Sequence, residues 1–151
     1  MLTNKAKYGL RAMCALQASD SRWLQARAIA ARANVPEKFL EAILVELRRA
    51  GFVESRRGHL GGHALARPAE QIMIGDLIRA IDGPLAPVRC ASMTAYEPCS
   101  DCGDPEHCAV RELMRETRAA LSGVLDQCSL KTLTERTQQA TWMQSVDGDA
   151  A

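Results

Sequence analysis

Residues 37–50 place Phe39, Leu40, Ile43, Leu44 and Leu47 on one apolar stripe of a helix, and Gly51 follows where a helix stops in a left-handed turn. What flanks this stripe narrows the fold further. Upstream, Ala26–Ala33 reads as a short helix with Ile29 and Ala30 inward. Asn34-Val35-Pro36 then forms a turn, with Pro36 at or near the first position of the next helix. Downstream, residues 52–55 read as a strand and residues 63–66 as its partner. Between them runs Arg56-Arg57-Gly58-His59-Leu60-Gly61-Gly62, a Gly-rich hairpin with a basic entrance. Two helices joined by a tight turn and followed at once by a hairpin predict a winged helix-turn-helix. The fold class is mostly α with a small β-hairpin wing.

The rest of the chain extends this head. Asn4 is expected to cap a first helix reaching about residue 19, with Ala6, Tyr8, Leu10, Met13, Cys14 and Leu16 near the helical period. Pro68 stops the second strand, and Ile74–Asp82 fits another helix ended by Gly83-Pro84. Residues 85–107 show no periodicity and are expected to be a loop organised by its cysteines. A long helix starting near Glu106 carries Val110, Leu113, Met114, Thr117, Leu121, Val124 and Leu125. Nothing in the head is positioned to cover that stripe, which predicts a dimerisation helix packed on its copy. Ser129 is expected to cap a short last helix through Leu130 and Leu133. The divisions are therefore a DNA-binding head over 1–83, a cysteine-rich loop over 84–108, a dimerisation region over 109–135 and a flexible tail over 136–151.

Charge separates the same regions. Residues 1–67 hold twelve Lys and Arg against five Asp and Glu, a net of +7, and residues 68–151 hold seven against thirteen, a net of −6. A cationic first half predicts a polyanionic partner. Apolar residues make up 47% of the chain and charged residues 25%, the balance of a globular soluble domain. There is no apolar run of about eighteen residues, so no membrane partner is expected. The opening residues lack the pattern of a secretory signal, and a cytoplasmic location with reduced thiols is the expectation.

Four cysteines, Cys90, Cys99, Cys102 and Cys108, fall within nineteen residues. Thiolates at this density hold a soft metal or an iron–sulfur cluster, or exchange disulfides. Cys99-x2-Cys102 is also a zinc-knuckle pair that Cys90 and Cys108 complete to a tetrahedral site, and the same pair is a candidate disulfide under oxidant. Cys14 and Cys128 read as packing residues. No nucleophile–base constellation, phosphate loop or carboxylate pair suggests an enzyme. An electron carrier has no need of a +7 head.

Four segments together resemble the Rrf family of winged-helix regulators, which includes IscR, NsrR and RirA. They are Leu2-Thr3-Asn4-Lys5-Ala6-Lys7-Tyr8-Gly9-Leu10-Arg11-Ala12; Phe39-Leu40-Glu41 with Leu47-Arg48-Arg49-Ala50-Gly51-Phe52-Val53; Ser55-Arg56-Arg57-Gly58-His59-Leu60-Gly61-Gly62; and the cysteine loop with its following helix. His59 and His63 depart from the Pro and the aromatic residue frequent at those wing positions. The resemblance covers about residues 1–135 and implies a homodimeric transcription regulator on a pseudo-palindromic double-stranded DNA operator, with DNA affinity set by cluster state. It implies that Lys38 and Glu41 face bases in the major groove and that Arg57 enters the minor groove. Arg48, Arg49, Arg56, Lys5 and Lys7 are then candidates for phosphate contacts.

For the cofactor the resemblance implies three ligands, Cys90, Cys102 and Cys108, the last two separated by five residues. Family members draw the fourth from a histidine three residues after the last cysteine or from an acid of the first helix. Arg111 and Lys7 stand at those places here, and neither can serve. Cys99 is therefore expected to complete an all-thiolate 2Fe–2S or 4Fe–4S site, with His107 as a spare candidate.

Overall fold

The computed structural model describes residues 2–136. The elements are α1 (Asn4–Gln17), α2 (Ala26–Ala33), α3 (Glu37–Arg49), β1 (Val53–Arg56), β2 (Gly62–Leu65), α4 (Ile74–Asp82) and α5 (Ala109–Leu125). Short 3-10 turns occupy Ala69–Gln71, Arg89–Ala91 and Pro105–His107, and residues 130–136 are helical. The last two of these turns lie in or at the edge of the stretch expected to be plain loop. The expected tail falls, beyond Arg136, outside the described residues.

Thr3, not Asn4, caps α1. Its backbone is extended and its hydroxyl accepts the Ala6 N–H at 3.1 Å. Thr3 also donates its N–H to Asp82 at 2.9 Å and its hydroxyl to the other oxygen of that carboxylate. This long-range tie to the end of α4 favours the threonine over the adjacent asparagine. α1 then packs against α2, α3 and α4. Gly9 permits the approach, because a Cβ there would collide with the Ile81 side chain. Met13, Ile29, Leu40, Leu44, Leu47, Ile72 and Leu77 are among the fully buried side chains. Each such burial contributes about 1.5–3 kcal/mol.

The turn between α2 and α3 closes on Asn34 in the left-handed region, φ 51° and ψ 56°. Along α3 the buried stripe is Leu40, Ile43, Leu44 and Leu47. Phe39, expected within it, is 58% exposed. It lies at the edge of the arc those four cover. The hairpin pairs Val53 with Leu65 and Arg56 with Gly62, one residue out from the expected strands. Phe52 belongs to the helix exit, its N–H bonding the Leu47 carbonyl at 2.9 Å. Leu24 adds a bridge to His63 on the other edge of the wing.

α5 begins at Ala109 rather than near Glu106, because Pro105 and Glu106 are spent in a 3-10 turn and Cys108 takes the cap. None of its residues is buried. The expected stripe divides into adjacent faces. Met114, Thr117 and Leu125 are half-buried, whereas Val110, Leu113, Leu121 and Val124 are exposed. Beyond α5 the chain returns to the head. Ser129 bridges Met73, Ile74 N–H bonds the Cys128 carbonyl at 2.9 Å, and Leu130 N–H bonds the Ile72 carbonyl at 2.8 Å. Ser129 accepts the Thr132 N–H at 3.1 Å, the expected cap of the last helix.

Candidate nucleic-acid interface and thiol centre

The cations expected at a polyanion differ in how they are held. Lys38 and Glu41 in the first turns of α3, Arg48 and Arg49 in its last turn, and Arg56 and Arg57 at the wing are all exposed. Among the described residues none of these six takes part in an ion pair. Lys7 is exposed beside the Tyr8 ring, its Nζ 5.6 Å from the centroid. Lys5 is engaged, its Nζ 2.7 Å from the Glu46 carboxylate of α3. That pair ties α1 to α3, and a phosphate contact from Lys5 has to compete with it.

The wing owes its shape to contacts between backbone groups. Gly58 has φ 99° and Gly62 has φ 135°, conformations that side chains rarely adopt. A Cβ at Gly61 would collide with the Arg56 carbonyl, and one at Gly62 with the Leu24 carbonyl. Gln25, just ahead of α2, donates from Nε2 to the Gly61 carbonyl at 3.0 Å and lies within 3.5 Å of the Gly58 and His59 carbonyls. Nothing in its sequence context marks this role. On the wing itself, Ser55 Oγ and His63 Nδ1 are 2.9 Å apart. Burial, and secondly the Arg48 charge, hold the His63 imidazole below the usual histidine range.

The thiol segment runs between α4 and α5. Cys90 is buried in the Arg89–Ala91 turn, Cys99 is exposed, and Cys102 and Cys108 are half-buried. The neighbouring Cys90 side chain is the first cause of the Cys99 thiol standing above the usual thiol value, and Cys102 contributes a smaller charge effect. Cys90 thus weighs more on the Cys99 thiol than Cys102 does, although Cys102 is nearer in sequence. Cys108 is engaged elsewhere, its sulfur accepting the Arg111 N–H at 3.4 Å as the cap of α5. His107 is paired with Asp104 at 2.7 Å. The donor set, four thiols in one short segment, suits a soft metal or cluster. Among the described residues no three Cys, His, Asp or Glu stand in metal-holding geometry.

Two arginines of α5 clamp this segment, and residue spacing carried no sign of it. Arg111 donates from Nε to the Cys90 carbonyl at 3.1 Å, and from its guanidinium to the Pro105 carbonyl at 2.9 Å and to Glu106 at 3.0 Å. Its guanidinium lies 5.6 Å from the centre of the Tyr96 ring. Arg118, two turns on, donates to the Ala91 carbonyl at 2.8 Å. Arg79 of α4 joins Asp126 through two bonds of 2.7 and 2.8 Å. Cys14 and Cys128 lie at the head's core; burial, then the neighbouring Cys128, pushes the Cys14 thiol up.

Known proteins share this fold. CymR, the global cysteine regulator of Bacillus subtilis, superposes with a TM-score of 0.72 at 34% identity over 90% of this chain and 97% of its own. IscR of T. potens superposes with a TM-score of 0.71 at 26% identity over 93% of this chain and 90% of its own. In sequence, an rrf2-like HTH-type transcriptional regulator of Rhodobacter capsulatus is 38% identical over 88% of this chain and 91% of its own length. The pattern of the Rrf2 family, described as iron-dependent transcriptional regulators, matches residues 2–136. Among the described residues no helix is long and apolar enough to cross a membrane. With the winged head, the thiol segment and the long helix accounted for, the chain belongs to the Rrf2 family of transcriptional regulators, which bind DNA and are not enzymes.

Proposed function

We propose that this regulator works in the cytoplasm as a homodimer on a pseudo-palindromic operator and adjusts its DNA affinity to iron–sulfur, redox or nitric oxide status through Cys90, Cys99, Cys102 and Cys108. The observation that carries the reading is the clamped thiol segment. Four soft donors are hung between α4 and α5 by Arg111 and Arg118, so a change at the sulfurs pulls on the long helix. An iron–sulfur cluster bound there would supply a centre that responds to oxidants and to small ligands. The chain's own part is mechanical. Arg111 touches both ends of the segment, through its N–H on the Cys108 sulfur and its Nε on the Cys90 carbonyl, so a displacement of either cysteine is felt at the start of α5.

The output is the head. Lys38 and Glu41 at the start of α3 are assigned to base edges, with Glu41 accepting from a cytosine amino group. Arg57 is assigned to the minor groove. Arg48, Arg49, Arg56 and Lys7, with Lys5 when released from Glu46, neutralise phosphates. Between input and output lies the dimer. Val110, Leu113, Leu121 and Val124 of α5 are exposed, with the half-buried Thr117 between them at steps of four, a seam suited to a second copy of itself. Tilting paired helices changes the spacing of paired α3 helices and hence the fit to two half-sites.

The influence of Cys90 on the Cys99 thiol favours a second reading, a thiol switch. A peroxide takes two electrons from the two thiols, each sulfur loses a proton, and the products are a disulfide and water. Structural zinc on the same cysteines is the remaining alternative.

Purification without oxygen separates the three. Visible absorbance with iron and sulfide in stoichiometric amount supports the cluster. Colourless protein with zinc supports the structural site, and colourless metal-free protein with an oxidisable Cys90–Cys99 pair supports the switch. Cys102→Ala is expected to remove the visible bands and leave a folded dimer of altered DNA affinity; affinity equal to that of intact, cluster-loaded protein would sever the input from the output.

A further inference from the structure

The outer surface of α3 is less polar than a solvated helix face needs to be. With Leu40, Ile43, Leu44 and Leu47 turned inward, the outward side carries Phe39, Ala42 and Val45 at steps of three. Phe39 is 58% exposed and Val45 38% exposed, and Ala42 between them is exposed as well. Phe39 and Ala42, with Asn4, Lys5, Tyr8 and Ile43, line an open cavity of about 390 Å³ between α1 and α3. Charges border the strip: Lys38 beside Phe39, Glu41 and Arg48 on one flank, and Arg49 beyond Val45.

An exposed apolar strip among unpaired cations calls for a partner that is anionic at its edges and apolar at defined points. The DNA major groove meets that description through the thymine C5-methyl group, the one apolar feature that its base edges present. A purely polar base edge gives Phe39 nothing and leaves both partners desolvated. We propose that Phe39 and Val45 read thymine methyl groups, so that each operator half-site carries thymines opposite the first three turns of α3. This rests on α3 being the helix that enters the groove. It adds to Lys38 and Glu41 a specificity term that depends on shape and apolar contact and that salt leaves nearly unchanged.

The test uses the full-length protein and no assumed operator. A random-sequence duplex pool is enriched for binding at low salt, and the selected site is resynthesised with deoxyuridine replacing thymidine at one position at a time, which deletes only the methyl. Loss of each contacted methyl is expected to weaken binding roughly fourfold, the transfer free energy of one buried methyl group. In Phe39→Ala or Val45→Ala the same deletion at the matching position is expected to cost nothing. Phe39→Gln serves where Phe39→Ala does not fold, and the deoxyuridine series on the unaltered protein needs no variant. Equal affinity for thymidine and deoxyuridine duplexes at every position overturns the proposal and leaves DNA binding standing. Methyl insensitivity together with a change in sedimentation on Phe39→Ala also overturns it and makes the strip a protein contact. A pool from which nothing can be enriched overturns the groove-reading assignment of α3 itself.

Discussion

The head and the rear of this molecule are built to different standards of completeness. In the head, α1 to α4 and the wing share one core in which Leu40, Leu47, Ile72 and Leu77 have no exposed surface. In the rear, α5 is as long as any helix of the fold and has no buried residue, and the thiol segment, buried only around Cys90 to Ser92, is tied to it by arginine bonds. The contrast teaches where partners belong. A head that is sealed within itself offers its outer charges to a polyanion, whereas a rear that is unsealed presents an apolar seam and four sulfurs that stay incomplete until something covers or gathers them.

The largest effect expected from this contrast is in paired truncations. Leu47→Ala should destabilise the chain by about 2–5 kcal/mol, whatever the protein concentration. Leu113→Ala should instead shift the denaturation midpoint only through protein concentration, because in the proposed dimer the contact it removes is between copies. Urea denaturation at two concentrations measures both, and equal, concentration-independent losses would erase the distinction. Next, Gly62→Ala forces a side chain into φ 135° against the Leu24 carbonyl, at a cost of about 1–3 kcal/mol. The wing's amide exchange should rise with it, while the Cys90 thiol keeps its reactivity.

Smaller is the tie between the two regions. Arg79 holds the Asp126 carboxyl below the usual aspartate range. Its contribution is therefore complete above the unfolded-state value of about 3.9 and fades as pH falls through the lower folded-state value. The pair is partly exposed, with side-chain exposures of 31% and 41%, so screening limits it to about 0.5–1 kcal/mol. Asp126→Asn should lower stability at neutral pH by that amount and flatten the acid limb of the pH–stability curve, which thermal melts from neutral to acid pH will show. Smallest in global terms is Arg111→Ala. It releases the Cys90 and Pro105 carbonyls, and its clearest sign should be faster alkylation of the buried Cys90 with little change in melting temperature. An unchanged Cys90 alkylation rate would mean that the clamp does not hold the segment.

Much of the head could be read from residue types, because helical period and turn chemistry are local. The limits of α2 and α4 coincide with the expected ones, and Asn34 takes the left-handed turn that separates α2 from α3. Local rules failed where a distant group decided. Thr3 caps α1 because Asp82 waits for it across the fold. Phe39 stays outside because it stands at the edge of the arc that Leu40, Ile43, Leu44 and Leu47 bury. Cys99 is influenced more by Cys90 than by Cys102, although Cys102 is nearer in sequence.

From the order of its residues alone, this protein was committed to a helix-turn-helix with a glycine-shaped wing, a cationic front and a sulfur-rich bridge to a long amphipathic helix. Periodicity, chirality and charge act over a few residues and need no knowledge of the whole. Only the tertiary structure decided which cations stay unpaired, which sulfurs influence one another, which arginines hold the thiol segment and which face of α5 is left bare. Those outcomes depend on groups that are far apart in sequence and meet only after the core has closed.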